Sequence, residues 1–181
     1  MMEADMAKKN RQRVLFMMTL PPPVHGMSMV CRQIQESSRV NDEFECRYVN
    51  TALSRTVEEI GTCGLSGALI KGFRFLGSLL SALKELVCFR PDVCYLAITC
   101  HGGAFLKDAP FVLLGKLFSH RVIIHQHNRG MSSCVQRFPY RWLMPLVYRN
   151  VTVVLLSQAL YEDVSAVVKP EQVRICPNGI Q

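Results

Sequence analysis

The chain has 181 residues, 49% of them hydrophobic and 19% charged, and its formal net charge at pH 7 is +7. This length suits a single domain with a core of its own, and the apolar content excludes a disordered chain. The positive balance favours anionic partners, such as nucleotides, phospholipid headgroups or nucleic acid, without choosing among them.

The start of the chain shows neither a targeting signal nor a membrane-spanning segment. Charged residues recur through residues 3–13, and the apolar run that follows soon meets three consecutive prolines. No apolar stretch reaches the length that a spanning helix needs. Eight scattered cysteines without a C-x-x-C pair predict reduced, buried thiols. We therefore expect a cytoplasmic protein whose residues 1–12 form a flexible basic N-terminus.

Short apolar runs alternate with helical patterns along residues 13–181. The runs predict strands at residues 14–18, 43–49, 92–98, 121–126, 151–156 and 173–176. The segments between them predict helices at residues 27–38, 65–87, 104–118 and 158–168, a proline-broken helical stretch at 135–148 and a mobile loop at 50–64. Strands separated by helices predict an α/β fold: a Rossmann-like open, mainly parallel sheet with helices on both faces.

The long helix predicted at residues 65–87 has an apolar stripe and a polar face. The stripe comprises Leu65, Leu69, Phe73, Leu76, Leu80 and Leu83. The simplest interpretation is a surface helix that packs on the sheet through this stripe. The alternative adds weak attraction to a membrane through Lys71, Arg74 and neighbouring basic residues.

Ligands of open parallel sheets bind beyond the carboxyl ends of the strands, so the loops there hold the candidate site. In the first loop, three prolines stiffen the backbone before a helix whose free N–H groups can face an anion. His25, Gly26 and Ser28 are therefore candidate ligands of a phosphate or diphosphate. The alternative is a stiff turn in which Ser28 only caps the helix. Neither G-x-G-x-x-G nor G-K-[ST] is present.

Two histidines end the fourth predicted strand. His125 and His127 share one face of the strand, where an imidazole can donate to a substrate oxygen or move a proton. A buried, hydrogen-bonded histidine is the alternative, and H-x-H is only a weak indication of zinc. After the third strand, His101 and Gly102 reach the same crevice or form a plain turn.

Together these turns resemble those of family 4 glycosyltransferases of bacterial surface-polysaccharide synthesis, which have the GT-B fold. Residues 21–28 resemble the loop after the first strand in many such enzymes, and His125-Gln126-His127-Asn128 resembles the family's strand ending in histidine. Residues 153–157 resemble its serine-tipped strand, and Pro177-Asn178-Gly179 resembles its exit into the inter-domain linker. The similarity spans nearly the whole chain.

The resemblance implies transfer of a hexosyl group from a nucleotide-diphosphate sugar to a glycan or lipid-linked acceptor. It implies retention of configuration, no metal and no cofactor, with nucleic acid excluded as a partner. This chain would be the N-terminal, acceptor-side half, with Gly26 near the donor diphosphate and His127 or His125 near the transferred sugar. The remaining binding residues implied are His25, Ser28, His101, Gly102, Asn128, Arg129 and Ser157. Many relatives lie on the inner membrane face, so peripheral contact there is expected.

The sequence departs from the family's pattern in two respects. The first loop has a single glycine before its helix where many relatives have two, and the donor-binding half does not follow within the sequence. A donor held from one side would leave the isolated chain nearly inactive, with the other half supplied in cis or in trans. The alternatives are an interaction module that pairs with a separate donor-domain chain, a nucleotide-binding Rossmann protein, a zinc hydrolase and a truncated gene product.

Overall fold

The structure is a computed structural model that describes residues 11–56, 59 and 64–177. Six strands form one sheet, in the order β2-β1-β3-β4-β5-β6, and every neighbouring pair is parallel. The strands are β1 (Arg13–Met18), β2 (Glu45–Asn50), β3 (Val93–Ile98), β4 (Arg121–Gln126), β5 (Thr152–Leu155) and β6 (Val173–Ile175). The predicted α/β class and open parallel sheet are confirmed.

The helices form two layers, one on each face of the sheet. The α-helices are α1 (Gly26–Glu36), α2 (Ser38–Glu43), α3 (Leu65–Phe89), α4 (Gly102–Phe118), α5 (Tyr140–Tyr148) and α6 (Tyr161–Val164). The chain crosses from β1 to β2 in one direction and makes every later crossing in the other. Because crossovers between parallel strands are right-handed, α1 and α2 cover one face and α3 to α6 cover the opposite face.

Each face of the sheet has its own apolar core. The larger core joins the sheet to α3, α4 and α5, and its centre includes Phe105, Phe111 and Tyr148. The smaller core lies under α1 and includes Phe16 and Cys31. The central strands are buried on both faces, which explains why their sequences are continuously apolar rather than alternating.

Several predicted boundaries are corrected by the structure. The helix predicted at residues 104–118 begins at Gly102 and continues unbroken through Pro110, because buried apolar side chains on both sides of the proline hold it to the core. The helix predicted at residues 158–168 is a 3₁₀ turn (Gln158–Leu160) followed by the short α6. α6 is followed by a turn in which the N–H groups of Val167 and Val168 both bond to the carbonyl of Val164.

The predicted packing of the long helix is wrong. The stripe around Phe73 and Leu80 faces outward, with these side chains 75% and 57% exposed. A second apolar series, at Phe75, Leu79, Ala82 and Leu86, packs on the core instead. Part of the face predicted to be solvated is half-buried, because Arg74 bonds to the loop before α3: it donates to the carbonyl of Leu53 at 2.8 Å and pairs with Glu59 at 3.0 Å.

Other expectations fall partly outside the described residues. Residues 1–10 of the predicted N-terminal segment lie outside, as do residues 57, 58 and 60–63 of the predicted mobile loop. Among the described cysteines none forms a disulfide, and Cys31, Cys94, Cys100 and Cys134 are buried as predicted. Cys88 and Cys176 are exposed.

Two phenylalanines of α3 test how this helix is oriented. We expect Phe75→Ala to lower the free energy of unfolding by roughly 2 kcal/mol, because Phe75 packs edge-on against Phe111 in the larger core. Phe73→Ala should change it by less than about 0.5 kcal/mol, since the ring is in solvent. Urea unfolding of both variants is the measurement. The reverse order would mean that the outward stripe is the packed one.

Candidate functional site

A pocket of about 510 Å³ lies at the carboxyl ends of β1 and β3. These strands are neighbours, but the chain leaves β1 towards β2 and leaves β3 towards β4, in opposite directions. Open α/β sheets bind ligands at such a switch point, because the diverging loops leave a crevice there. The polar side chains around it are Thr19, His25, Ser54, Lys71, Thr99 and Lys107. The loops after β1 and β3, singled out from the sequence, both line this pocket.

Lys107 places an ammonium group in the pocket wall. Its Nζ lies 2.8 Å from Oδ1 of Asp108 and donates to the carbonyl of Thr51 at 3.2 Å. Oδ2 of Asp108 accepts from the N–H of Thr99 at 3.1 Å. Burial raises the pKa of Asp108, and the neighbouring Lys107 offsets part of that rise. This pair therefore fixes α4 to the ends of β2 and β3 and holds the ammonium in place.

His25 and Ser28 cap the start of α1. The N–H of Ser28 donates to Nδ1 of His25 at 3.3 Å, and the N–H of His25 donates to Oγ of Ser28 at 2.9 Å. Ser28 is fully buried and its hydroxyl also donates to the carbonyl of Pro23, so its observed role is the helix cap that the sequence left open. His25 lines the pocket, whereas Gly26 is exposed and has open space around the position of a Cβ.

His125 and His127 lie side by side at the end of β4, with ring centroids 4.0 Å apart. His125 is only 5% exposed, and its Nδ1 is hydrogen-bonded to the hydroxyl of Tyr95. In both rings Nε2 is buried and has no hydrogen-bond partner among the described residues. Because buried polar atoms normally have partners, these two nitrogens are candidate contacts for a ligand. Neither ring lines the pocket at β1 and β3.

Both imidazoles are neutral near pH 7. Burial, together with the neighbouring His127, lowers the pKa of His125 to about 4. Burial also lowers the pKa of His127. A neutral imidazole has one N–H donor and one acceptor nitrogen, so each Nε2 can form one hydrogen bond with a hydroxyl group.

The loops after β3 and β4 are joined by His101 and Asn128. The ring of His101 lies against Gly130, where a Cβ would come within 2.5 Å of the ring, and Gly130 has a φ of +128°. Oδ1 of Asn128 accepts from the N–H of Cys100 at 3.2 Å. Gly102 also has a positive φ, +65°, which permits the tight entry into α4. The structure thus brings His101, Gly102 and Asn128 together.

The remaining predicted site residues do not line the pocket. Arg129, Ser157 and Pro177 are exposed. Asn178 and Gly179, predicted to begin a linker, lie outside the described residues. The roles of these residues in binding or in linking domains stay predictions.

Asp163 fastens the loop after β4 to the segment after β5. One of its oxygens accepts from the N–H groups of Gly130 and Met131, at 2.9 and 3.0 Å. The other accepts from the N–H and the hydroxyl of Ser132, at 3.2 and 2.7 Å. Burial raises the pKa of Asp163, but these hydrogen bonds outweigh burial and lower it on balance.

Sequence reasoning missed Lys107, Asp108 and Asp163 as parts of this region. One signal could have found the first two: they are adjacent charges in the middle of a mainly apolar helix, and a buried charge needs a partner. No comparable signal marks Asp163, because its partners are backbone N–H groups about 30 residues earlier in the chain.

Two findings concern metal binding and membrane spanning. Across residues 11–56, 59 and 64–177, no group of three or more His, Cys, Asp or Glu side chains could hold a metal ion. In the same part of the chain, no helix is long and apolar enough to cross a bilayer. The expected absence of a metal cofactor stays a prediction.

Comparisons with known proteins do not assign a family. No protein-family model matches the chain, and no curated protein matches it. The fold is that of a Rossmann-like α/β protein, with a crevice at the switch point of its sheet. The similarity to family 4 glycosyltransferases therefore depends on the motifs alone.

The buried His125 should make the stability of the protein depend on pH. Its pKa is about 4 when folded, against an ordinary value of 6.5, so between these values the unfolded chain takes up a proton that the folded chain does not. Stability is therefore lost as the pH falls through this window, by about 2 kcal/mol between pH 7 and pH 4.5 from His125.

Urea unfolding at pH 7 and pH 4.5 measures this contribution. The loss between the two pH values should be about 2 kcal/mol smaller in His125→Gln than in the parent chain. His120→Gln, at an exposed histidine before β4, is the matched control and should keep the full loss. An unchanged loss in His125→Gln would contradict a neutral, buried imidazole at this position.

Asp163→Asn should lower the free energy of unfolding by about 2–4 kcal/mol, because the amide has one acceptor oxygen where the carboxylate has two and also turns a donor towards backbone donors. Asp42→Asn, at an exposed position of α2, should change it by less than about 0.5 kcal/mol. Urea unfolding at pH 7 compares them. Equal stability of the two variants would show that Asp163 does not fasten the two loops.

Proposed function

We propose that this chain is the acceptor-side half of a retaining glycosyltransferase that moves a hexosyl group from a nucleotide-diphosphate sugar to a glycan or lipid-linked acceptor. The observation that carries the proposal is the pocket at the carboxyl ends of β1 and β3, where hydroxyl, imidazole and ammonium groups converge. Such a mixture of hydrogen-bonding groups suits a ligand that has many hydroxyl groups. The motif resemblance supplies the reaction type.

The pocket is the proposed acceptor site. Thr19 and Thr99 supply hydroxyl groups that can exchange hydrogen bonds with sugar hydroxyls, and Lys107 supplies a fixed donor. Asp108 offsets much of the charge of Lys107, so the ammonium acts mainly as a positioned hydrogen-bond donor. His25 and Gly26, at the start of α1, are the proposed neighbours of the donor diphosphate.

The histidine pair is the proposed contact with the transferred sugar. His127 has a neutral imidazole whose buried Nε2 has no hydrogen-bond partner among the described residues, and we assign to it a bond with a sugar hydroxyl. His125 is held by Tyr95 and packs against His127, so we assign it a positioning role. This arrangement supports binding and orientation of the sugar, since neither ring carries a charge near pH 7.

Efficient transfer needs groups on both sides of the reacting bond. We therefore propose that a donor-binding half, in cis or in trans, completes the catalytic site. No metal or cofactor is part of the proposal. We place the reaction in the cytoplasm, at the inner face of the membrane, as the motif resemblance implies.

Binding to the full chain tests this proposal directly. In ¹⁵N-labelled protein, a panel of nucleotide-diphosphate sugars and glycans should shift the amide signals of Thr19, His25, Thr99 and Gly103. We expect Lys107→Met to weaken binding about tenfold, because a hydrogen bond from a charged donor is lost. Lys84→Met, at an exposed position of α3, is the matched control and should bind as the parent chain does.

A second variant protects this test from a folding defect. Thr99→Val removes only a hydroxyl from the pocket wall and keeps the N–H that bonds to Asp108. It should weaken acceptor binding by several-fold while the free energy of unfolding changes little. If no sugar or nucleotide sugar moves these signals, or if both variants bind as the control does, the proposed acceptor site is wrong.

A further inference from the structure

The outward stripe of α3 is a continuous apolar surface. Leu69, Phe73, Leu76, Leu80 and Val87 follow one another along the helix and are all exposed. Their spacing keeps them on one side of the helix along about five turns. A stripe this long, without any covering element in the described chain, is unusual for a protein surface in water.

Exposed apolar side chains also occur on the neighbouring helices. α3 packs beside α4, and α4 packs beside α5, in the same layer. On α4 the exposed large apolar side chains are Leu106, Leu117 and Phe118. At α5 they are Phe138, Trp142 and Leu146. We call this set, from α3 to α5, the outer surface.

The charge of the chain is concentrated in the segment that carries the outer surface. Residues 64–149 contain eleven Lys and Arg but three Asp and Glu, a net charge of +8, so the rest of the chain carries −1. None of those three acidic side chains is exposed. Seven of the basic ones are: Lys84, Arg90, Arg121, Arg129, Arg137, Arg141 and Arg149.

The exposed apolar side chains of α3, α4 and α5, with the exposed basic side chains Lys84 on α3 and Arg137, Arg141 and Arg149 at α5, fit an anionic lipid headgroup layer. The apolar side chains can enter the boundary between headgroups and acyl chains, while the basic ones remain among the anionic headgroups. Arg141 lies over the ring of Trp142 at 5.3 Å, and Trp and Arg together are typical of side chains at that boundary. A second copy of this chain fits less well, because pairing through this surface would bring two strongly positive segments together.

We propose that the outer surface of α3, α4 and α5 docks on an anionic lipid bilayer and lies along it without crossing. This docking rests on the peripheral location given in the proposed function, and it adds which surface makes the contact and that the lipid is anionic. Vesicle binding requires no sugar transfer, so the two proposals can fail separately.

The test is co-sedimentation of the full chain with two kinds of vesicle: phosphatidylcholine alone, and phosphatidylcholine mixed with phosphatidylglycerol. We expect binding to the mixed vesicles at least about tenfold tighter, and weaker as salt is added. The double variant Phe73→Ser with Leu80→Ser and the double variant Arg137→Glu with Arg141→Glu should each reduce it about tenfold or more.

Matched controls lie on the opposite face of the sheet. Met29→Ser on α1 and Arg39→Glu on α2 change exposed apolar and basic side chains there and should leave vesicle binding unchanged. All four substituted positions of the double variants are exposed, so the fold should persist, and circular dichroism verifies it.

Three results would overturn the proposal. One is equal binding to neutral and mixed vesicles; another is unchanged binding in both double variants. In the third, the parent chain does not bind vesicles and is a dimer by light scattering, whereas Phe73→Ser with Leu80→Ser is a monomer. This result would show that the outer surface contacts a second copy of the chain.

Discussion

The handedness of the strand crossovers is the constraint on which the rest of this structure depends. Along the sheet, the chain first moves from β1 to β2 in one direction and then makes four crossings in the opposite direction. Every one of these crossovers connects parallel strands and is therefore right-handed. This single reversal opens the crevice between the loops after β1 and β3. It also gathers α3 to α6 into one layer, so the outer surface and the pocket both follow from the order of the strands.

Buried carboxylates give the loops at the carboxyl edge their fixed shape. Asp108 receives the N–H of Thr99 and the ammonium of Lys107, which ties α4 to β3. Asp163 receives three N–H groups and a hydroxyl from the loop after β4. In both cases a charge that is costly to bury is matched by several donors, so these polar contacts help to order the loops in addition to apolar packing.

The sheet could be predicted from the sequence because each buried strand is a short apolar run bounded by turn residues. The orientation of α3 could not, because this helix is apolar on two sides: the series at Phe73 and Leu80 is as regular as the one at Phe75 and Leu79. Only tertiary contacts choose between them, through the core and through Arg74, which bonds to the preceding loop. Local pattern carries no information on that choice.

The candidate site divides in the same way. His25, His125 and His127 could be found because each stands in or next to the loop after a predicted strand. Lys107 could not be found, because it lies in the middle of α4 rather than in a loop. Its neighbour Asp108 accepts a hydrogen bond from Thr99, which follows β3. Loops can be located by counting along the chain, whereas the depth to which a helix side chain reaches depends on packing.

The contacts of Asp163 have a consequence for motion. The amide protons of Gly130, Met131 and Ser132 are all held by one carboxylate that lies about 30 residues later in the chain. None of them can be released to solvent singly without breaking the geometry that holds the other two. These three amide protons should therefore exchange with deuterium through one shared opening event. In that event the loop that bears Asn128 moves away from the segment after β5, and all three hydrogen bonds break together.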